Sequence, residues 1–110
     1  MAGKFEVETA KNGQFFFRLK AGNGEIILSS EQYTSKSACN NGIESVKSNA
    51  AQDERYKRQE ASDGRHYFNL RAGNHEVIGT SQMYKDKGGM EKGIDSVKSN
   101  APGATVVDKS

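Results

Sequence analysis

The chain has 110 residues, with 34% hydrophobic and 27% charged side chains and a formal net charge of +2. That size suits one small domain, the single cysteine rules out an internal disulfide framework, and no run approaches the ~20 apolar residues of a membrane span. A net charge this small is no nucleic-acid footprint by itself. Because the opening Met-Ala-Gly-Lys-Phe-Glu also lacks the apolar stretch of a signal peptide, a soluble cytoplasmic protein is expected.

Residues 5–50, moved along by 51 places, lie on residues 56–101 without a gap. A period of this size marks two copies of one supersecondary unit, and either copy alone is too short to bury much surface, so a shared core is expected. The domain is therefore read as 1–110, built from a first repeat (5–50), a second repeat (56–101) and a terminal strand (104–108). Charge is unevenly divided: residues 4–50 carry six basic and five acidic side chains, residues 55–101 nine and six.

In chain order, each repeat reads as three short strands and a helix. Phe5–Thr9 and Gln14–Lys20 are separated by Asn12-Gly13, matched by Asp63-Gly64 in the second copy. A two-residue turn would set Phe15, Phe17 and Leu19 on the face of Glu6 and Glu8. A three-residue loop with Gly13 left-handed instead pairs Phe5 with Leu19, Val7 with Phe17 and Glu6 with Arg18, keeping carboxylates away from the aromatics. For the third strand, Glu25–Ser29, a two-residue Gly22-Asn23 loop sets Leu19 opposite Ile26, Phe17 opposite Leu28 and Lys20 opposite Glu25. The same loop sets Arg71 opposite Glu76.

Helices follow over 35–49 and 86–100. Ser35 and Asp86 are suitable N-caps, and Cys39, Ile43, Val46, Ala50 and Met90, Ile94, Val97, Ala101 form matching apolar stripes. Asn49 and Asn100 suit a left-handed helix end. Gly42 and Gly93, costly inside a helix, are expected to let its backbone approach the sheet. Asp53–Glu60 then serves as both the exit of the first copy and the first strand of the second. Ala104–Asp108 is a terminal strand in the corresponding place for the second copy.

The tandem copies, the Lys-Ala-Gly-Asn and Arg-Ala-Gly-Asn turns and the repeated Gly-Ile-x-Ser-Val-Lys-Ser-Asn helix ends resemble the YegP-like family of small bacterial proteins of unknown function. The resemblance covers almost the whole chain. It implies two β-β-β-α-β units merged into one sheet with their C-terminal strands exchanged, and it implies no activity, cofactor or catalytic residue. The fold expected is thus α+β: one mostly antiparallel, pseudo-two-fold sheet with two helices on one face.

No catalytic set emerges. Cys39 aligns with Met90 on an apolar stripe and reads as core. His66 and His75 lack partners at metal-ligand spacing, so neither a metal nor a cofactor is expected, and the protein is read as a non-enzyme. Ser45, Lys47, Ser48 and Asn49 recur in the second copy, and helix capping and dipole effects account for most of that motif.

What stands out is the sheet face away from the helices. It is expected to show Phe16, Ile27, Arg18 and Lys20 in the first copy and Tyr67, Ile78, Asn69, Arg71 and Lys57 in the second. Aromatics among basic side chains on an open sheet suit stacking and anion contact. The candidate binding residues are Phe16, Arg18, Lys20, Lys57, Tyr67 and Arg71. The expected function is a small binding module for single-stranded nucleic acid, another anionic partner or a protein; the alternative is a homodimeric assembly surface.

Overall fold

A computed structural model describes residues 3–110. Met1 and Ala2, the start of the segment inspected for a signal peptide, lie outside the described residues. Each repeat folds as a three-stranded meander and a helix: β1 (Lys4–Thr9), β2 (Phe15–Lys20), β3 (Ile26–Ser29) and α1 (Lys36–Asn49), then β4 (Tyr56–Glu60), β5 (His66–Arg71), β6 (Val77–Thr80) and α2 (Lys87–Asn100), with β7 (Thr105–Asp108) last. All seven strands share one mixed sheet in the order β4-β5-β6-β3-β2-β1-β7. Among the described residues only the β1–β7 pair is parallel. The architecture is α+β. Phe5, Val7, Phe17, Leu19, Phe68 and Leu70 point from the sheet into one hydrophobic cluster with the helical stripes, and that cluster draws on both repeats.

The first hairpin has the expected register, with Phe5 facing Leu19, Val7 facing Phe17 and Glu6 facing Arg18. Gly13 and Gly64 close it at φ +84° and +87°. The second hairpin differs from expectation. Ala21 N–H donates to the Glu25 carbonyl and Gly24 N–H to that of Ala21, the pattern also seen at Ala10, Gln14 and Gly13. Gly24 is left-handed at φ +87°, as is His75 at +71°, so the loop has three residues, not two. The pairs formed are Lys20–Ile26 and Leu19–Leu28, with Arg71 opposite Val77. The expected Leu19–Ile26, Phe17–Leu28, Lys20–Glu25 and Arg71–Glu76 pairs do not form.

A bulge absorbs the extra residue. It turns Ile27 and Ile78 into the core, 3% and 7% exposed, and leaves Ile26 and Val77 outward. The placement of Ile27 and Ile78 on the open face is therefore corrected.

Both helices begin as expected: Ser35 Oγ accepts from Ala38 N–H at 3.0 Å and Asp86 Oδ1 from Gly89 N–H at 2.7 Å. They end otherwise. Ala50 and Ala101 remain right-handed, and Asn49 and Asn100 donate their side-chain amides back to the Ser45 and Ser96 carbonyls at 2.8 and 2.7 Å. Gly42 and Gly93 make room for a tyrosine more than for the sheet, since a Cβ at either position would overlap the ring of Tyr33 or Tyr84. Those tyrosines are fixed by backbone bridges to Phe15 and His66.

The exit strands are not equivalent. Asp53–Arg55 forms a 3-10 turn, so β4 starts at Tyr56 and lies directly beside β5, antiparallel. After α2, the place beside β2 is already held by β1, so β7 adds outside β1 in parallel. At the pseudo-two-fold, Leu28 and its repeat mate Gly79 meet: a Cβ on Gly79 would lie 2.6 Å from Leu28 Cγ. One large side chain fills a space that symmetry would assign to two.

Candidate anion-binding face

Strand alternation puts Phe16, Arg18 and Lys20 on the face of β2 away from the helices, with Glu6 and Glu8 beside them on β1. Glu6 is the centre of this half. Its side chain is only 2% exposed, yet Lys20, Lys109 and Lys4 bring their Nζ atoms to 2.9, 3.2 and 3.4 Å. Hydrogen bonding from Lys20, then from Lys109, with their positive charge, outweighs burial and holds the carboxyl down at about 2. Arg18, although opposite Glu6 in register, reaches Glu8 at 3.0 Å and lies over the Phe16 ring at 5.0 Å. In the first repeat, then, both candidate cations have acidic partners and the candidate aromatic has a cation on its face.

The second repeat keeps the backbone and changes the charges. The 51-residue shift carries Lys4, Glu6 and Lys20 to Arg55, Lys57 and Arg71. With Tyr56 opposite Leu70 and Lys57 opposite Asn69, Arg55 and Arg71 come at neighbouring ends of β4 and β5. Among the described residues none of the three forms an ion pair. The Nε atoms of Arg55 and Arg71 are buried without a hydrogen-bond partner. Lys57 is exposed and Tyr67 half-buried beside it, while Gln59 and Asn69, the mates of Glu8 and Arg18, replace an ion pair with an amide–amide hydrogen bond. Three cations without an acid form a ready anion site.

The six candidate residues thus make two groups, not one. β3 and β6 stand between them, a separation of roughly 14 Å at the usual strand spacing. Arg55 is not among the sequence candidates, although a strand over Asp53–Glu60 would put it two residues before Lys57 on the same face. The signal was there also in its alignment with Lys4 and that of Lys57 with Glu6.

Elsewhere the residues have structural work. Cys39 is fully buried in the core, and burial raises its thiol pKa. Lys47 and Lys98 sit over the rings of Phe5 and Tyr56 at 6.0 and 5.6 Å, which with the Asn-to-Ser bonds accounts for the repeated helix end. Among the described residues no group of three or more His, Cys, Asp or Glu converges, and no helix is long and apolar enough to cross a membrane. A cleft of about 300 Å³ between the β2–β3 turn and α2 gathers Glu25, Tyr84, Lys92 and Ser96, but Glu25 is engaged by Gln82 at 2.9 Å.

Comparison with known proteins places this geometry in a lineage. A family model described as "Domain of unknown function (DUF1508)" matches residues 10–56 and again 61–108. The chain is 55% identical over 108 residues to the UPF0339 protein YegP of Escherichia coli (strain K12), covering 98% of each chain. It is 54% identical over 108 residues to the UPF0339 protein in the ptx operon 5′ region of Stutzerimonas stutzeri, covering 98% of this chain and 97% of that one. The solution NMR structure of yegP from E. coli, a protein of unknown function, matches with a TM-score of 0.94 at 54% identity, over 99% of this chain and 94% of that one. The NMR structure of a UPF0339 protein from Shewanella oneidensis matches with a TM-score of 0.92 at 49% identity, over 98% and 92%.

Proposed function

The chain belongs to the DUF1508 family, and from that premise we propose that it is a small non-catalytic binding module that holds an anionic partner on the outer face of its second repeat. The observation that carries this reading is the unpaired trio Arg55, Lys57 and Arg71, set where the first repeat neutralises the same positions with Glu6. Tyr67 supplies an adjoining aromatic surface. Phe16, stacked under Arg18, is withdrawn from that role, and Arg18 and Lys20 are held by carboxylates. The free, buried Cys39 suits a reducing cytoplasm as the place of work.

Homodimerisation through the same face is opposed by charge: a two-fold contact centred on the second repeat would bring Lys57 and Arg71 of both copies together. The test is fluorescence anisotropy of labelled single-stranded DNA, single-stranded RNA and polyglutamate, titrated at low and physiological salt. At least one should bind at low salt. For a nucleic acid held by three cations, log K should fall against log salt with a slope of about −2. Arg71→Gln should weaken binding, whereas Arg18→Gln should not. Silence from all three probes at low salt would overturn the proposal.

A further inference from the structure

Between the repeats, the outer edges of β1 and β4 are equivalent, and among the described residues only that of β1 is covered. On β1 the cover is β7: Thr105 N–H donates to the Gly3 carbonyl at 3.4 Å and Lys109 N–H to that of Val7 at 2.8 Å. Two side chains of this segment then reach cations or acids below. Asp108 meets Lys36 at 3.0 Å, and Lys109 meets Glu6 at 3.2 Å. β4 is the opposite end of the sheet and, among the described residues, pairs only with β5. The mate of Lys36 is Lys87 and the mate of Glu6 is Lys57, and neither has an ion pair among the described residues.

A concavity of about 310 Å³ lies at this bare edge, lined by Arg58, Gln59, Glu60, His66 and Lys87. It occupies, beside Lys87, the position that Asp108 takes beside Lys36. Of the acids around the edge, Asp53 and Glu91 are already engaged by Arg58, and Asp53 by Lys98 as well, while Glu60, at the far end of β4, is exposed and has no ion pair among the described residues. The 3-10 turn uses the Tyr56 N–H, which donates to the Asp53 carbonyl, so the open edge begins at the Tyr56 carbonyl and runs to Glu60.

We infer that the free edge of β4 receives an extended acidic segment of a partner protein as an added strand, parallel to β4 as β7 is to β1. This rests on the anionic-partner reading and gives that partner a shape and a register. In the β7 register the incoming second residue lies beside Tyr56, the third beside Lys57 and the fourth beside Arg58 and Lys87. The fifth projects over Lys57 as Lys109 does over Glu6. Where β7 reads Thr-Val-Val-Asp-Lys, the fitting segment therefore carries two apolar residues followed by two acids. Main-chain bonds to the edge supply general affinity, and the two lysines select for acid. Basic side chains on an edge strand also repel unwanted strands, β7 of a second copy among them, since its lysine would fall on Lys57.

The experiment is a 15N–1H NMR titration of the full chain with two capped hexapeptides, Thr-Val-Val-Asp-Glu-Ser and Thr-Val-Val-Asp-Lys-Ser. Shifts should concentrate at Tyr56–Glu60 and Lys87, with the glutamate peptide bound about fivefold more tightly, the weight of one partly exposed charge pair. Lys57→Glu should reverse that order. A spin label on the peptide N-terminus should broaden Tyr56 before Glu60. Shifts at Tyr67 and Asn69 without the β4 edge would sink strand addition and leave anion binding standing, and no shifts at millimolar peptide would sink this segment as a ligand, with polyglutamate and the oligonucleotides still deciding the broader reading. Concentration-dependent shifts at 56–60 without peptide would assign the edge to a second copy and overturn the inference, as would the opposite order of broadening.

Discussion

Val7 and Arg58 stand at the same point of the two repeats, and so do Glu6 and Lys57. Val7 lies under the β7 edge at 1% exposure, whereas Arg58, on an end strand, turns to Glu91 and Asp53 at the rim of α2. Glu6 is enclosed by Lys4, Lys20 and Lys109; Lys57 lies open between Arg55 and Arg71. Both differences follow from one cause: β7 covers the edge of the first repeat and, among the described residues, nothing covers that of the second. The inward positions barely differ, because Phe5 and Tyr56, Phe17 and Phe68, Leu19 and Leu70 fill one shared core. After duplication, the core constrained both copies alike and the edges were free to part.

The sharpest way to break this contrast is to remove its cause. Deleting residues 104–110 uncovers β1, leaving Phe5 and Val7 at an open edge and Glu6 without Lys109. A loss of up to roughly 4 kcal/mol is expected in urea unfolding, the scale of partly exposing two large apolar side chains. No change in stability would mean that β7 merely rests on the sheet. Next in size is the symmetry break at the centre. Gly79→Leu forces a second large side chain against Leu28 and should cost about 3 kcal/mol. Combined with Leu28→Gly, which moves the leucine to the other repeat, it should recover most of that loss. A double variant no better than the single would refute the pseudo-symmetric exchange.

The buried acid gives a smaller and pH-dependent effect. Its carboxyl is held at about 2 against an ordinary 4.5, so the folded state binds its proton less readily than the unfolded chain does. Glu6 therefore stabilises fully above pH 4.5, and the contribution fades as pH falls from there to about 2. Glu6→Gln should cost about 2 kcal/mol at neutral pH, less than a fully buried pair because the lysines are partly in water. The difference from the parent should shrink through that acid window. A parallel pair of acid-unfolding curves would show that the lysines do not depend on this carboxylate.

How much of this was visible in the chain depends on the range of the interaction. The first hairpin could be read because only one register keeps Glu6 and Glu8 from the side of Phe17 and Leu19, a penalty larger than any turn preference. The second hairpin departs from the expected register because the surface pairs Lys20–Glu25 and Arg71–Glu76, each worth well under ~1 kcal/mol, do not outweigh a left-handed turn residue. His75 in place of Gly24 hid the shared turn geometry. The outward direction of Phe16, Arg18, Tyr67 and Arg71 follows from period-two alternation, which is local. The enclosure of Glu6 is not local, because its third cation, Lys109, is brought beside β1 by a parallel pairing across nearly the whole chain.

The mildest change carries the comparison furthest. Lys57→Glu gives the second repeat the acid of the first, set among Arg55 and Arg71 as Glu6 is among Lys4 and Lys20. Because those arginines now lack partners, the substitution should stabilise the fold, by about 0.5–1 kcal/mol at neutral pH and low salt. The gain should fade in acid as the new carboxylate takes up its proton. The same variant should lose affinity for the anionic probes. Stability and binding would then move in opposite directions at one residue, as expected where repulsion is retained for a ligand's sake. If the variant is more stable and binds as before, the trio is no site and the basic edge guards against stray strands. If it is less stable, Arg55 and Arg71 already share charge with groups that the substitution disturbs, and the likeness between the two repeats stops at the backbone.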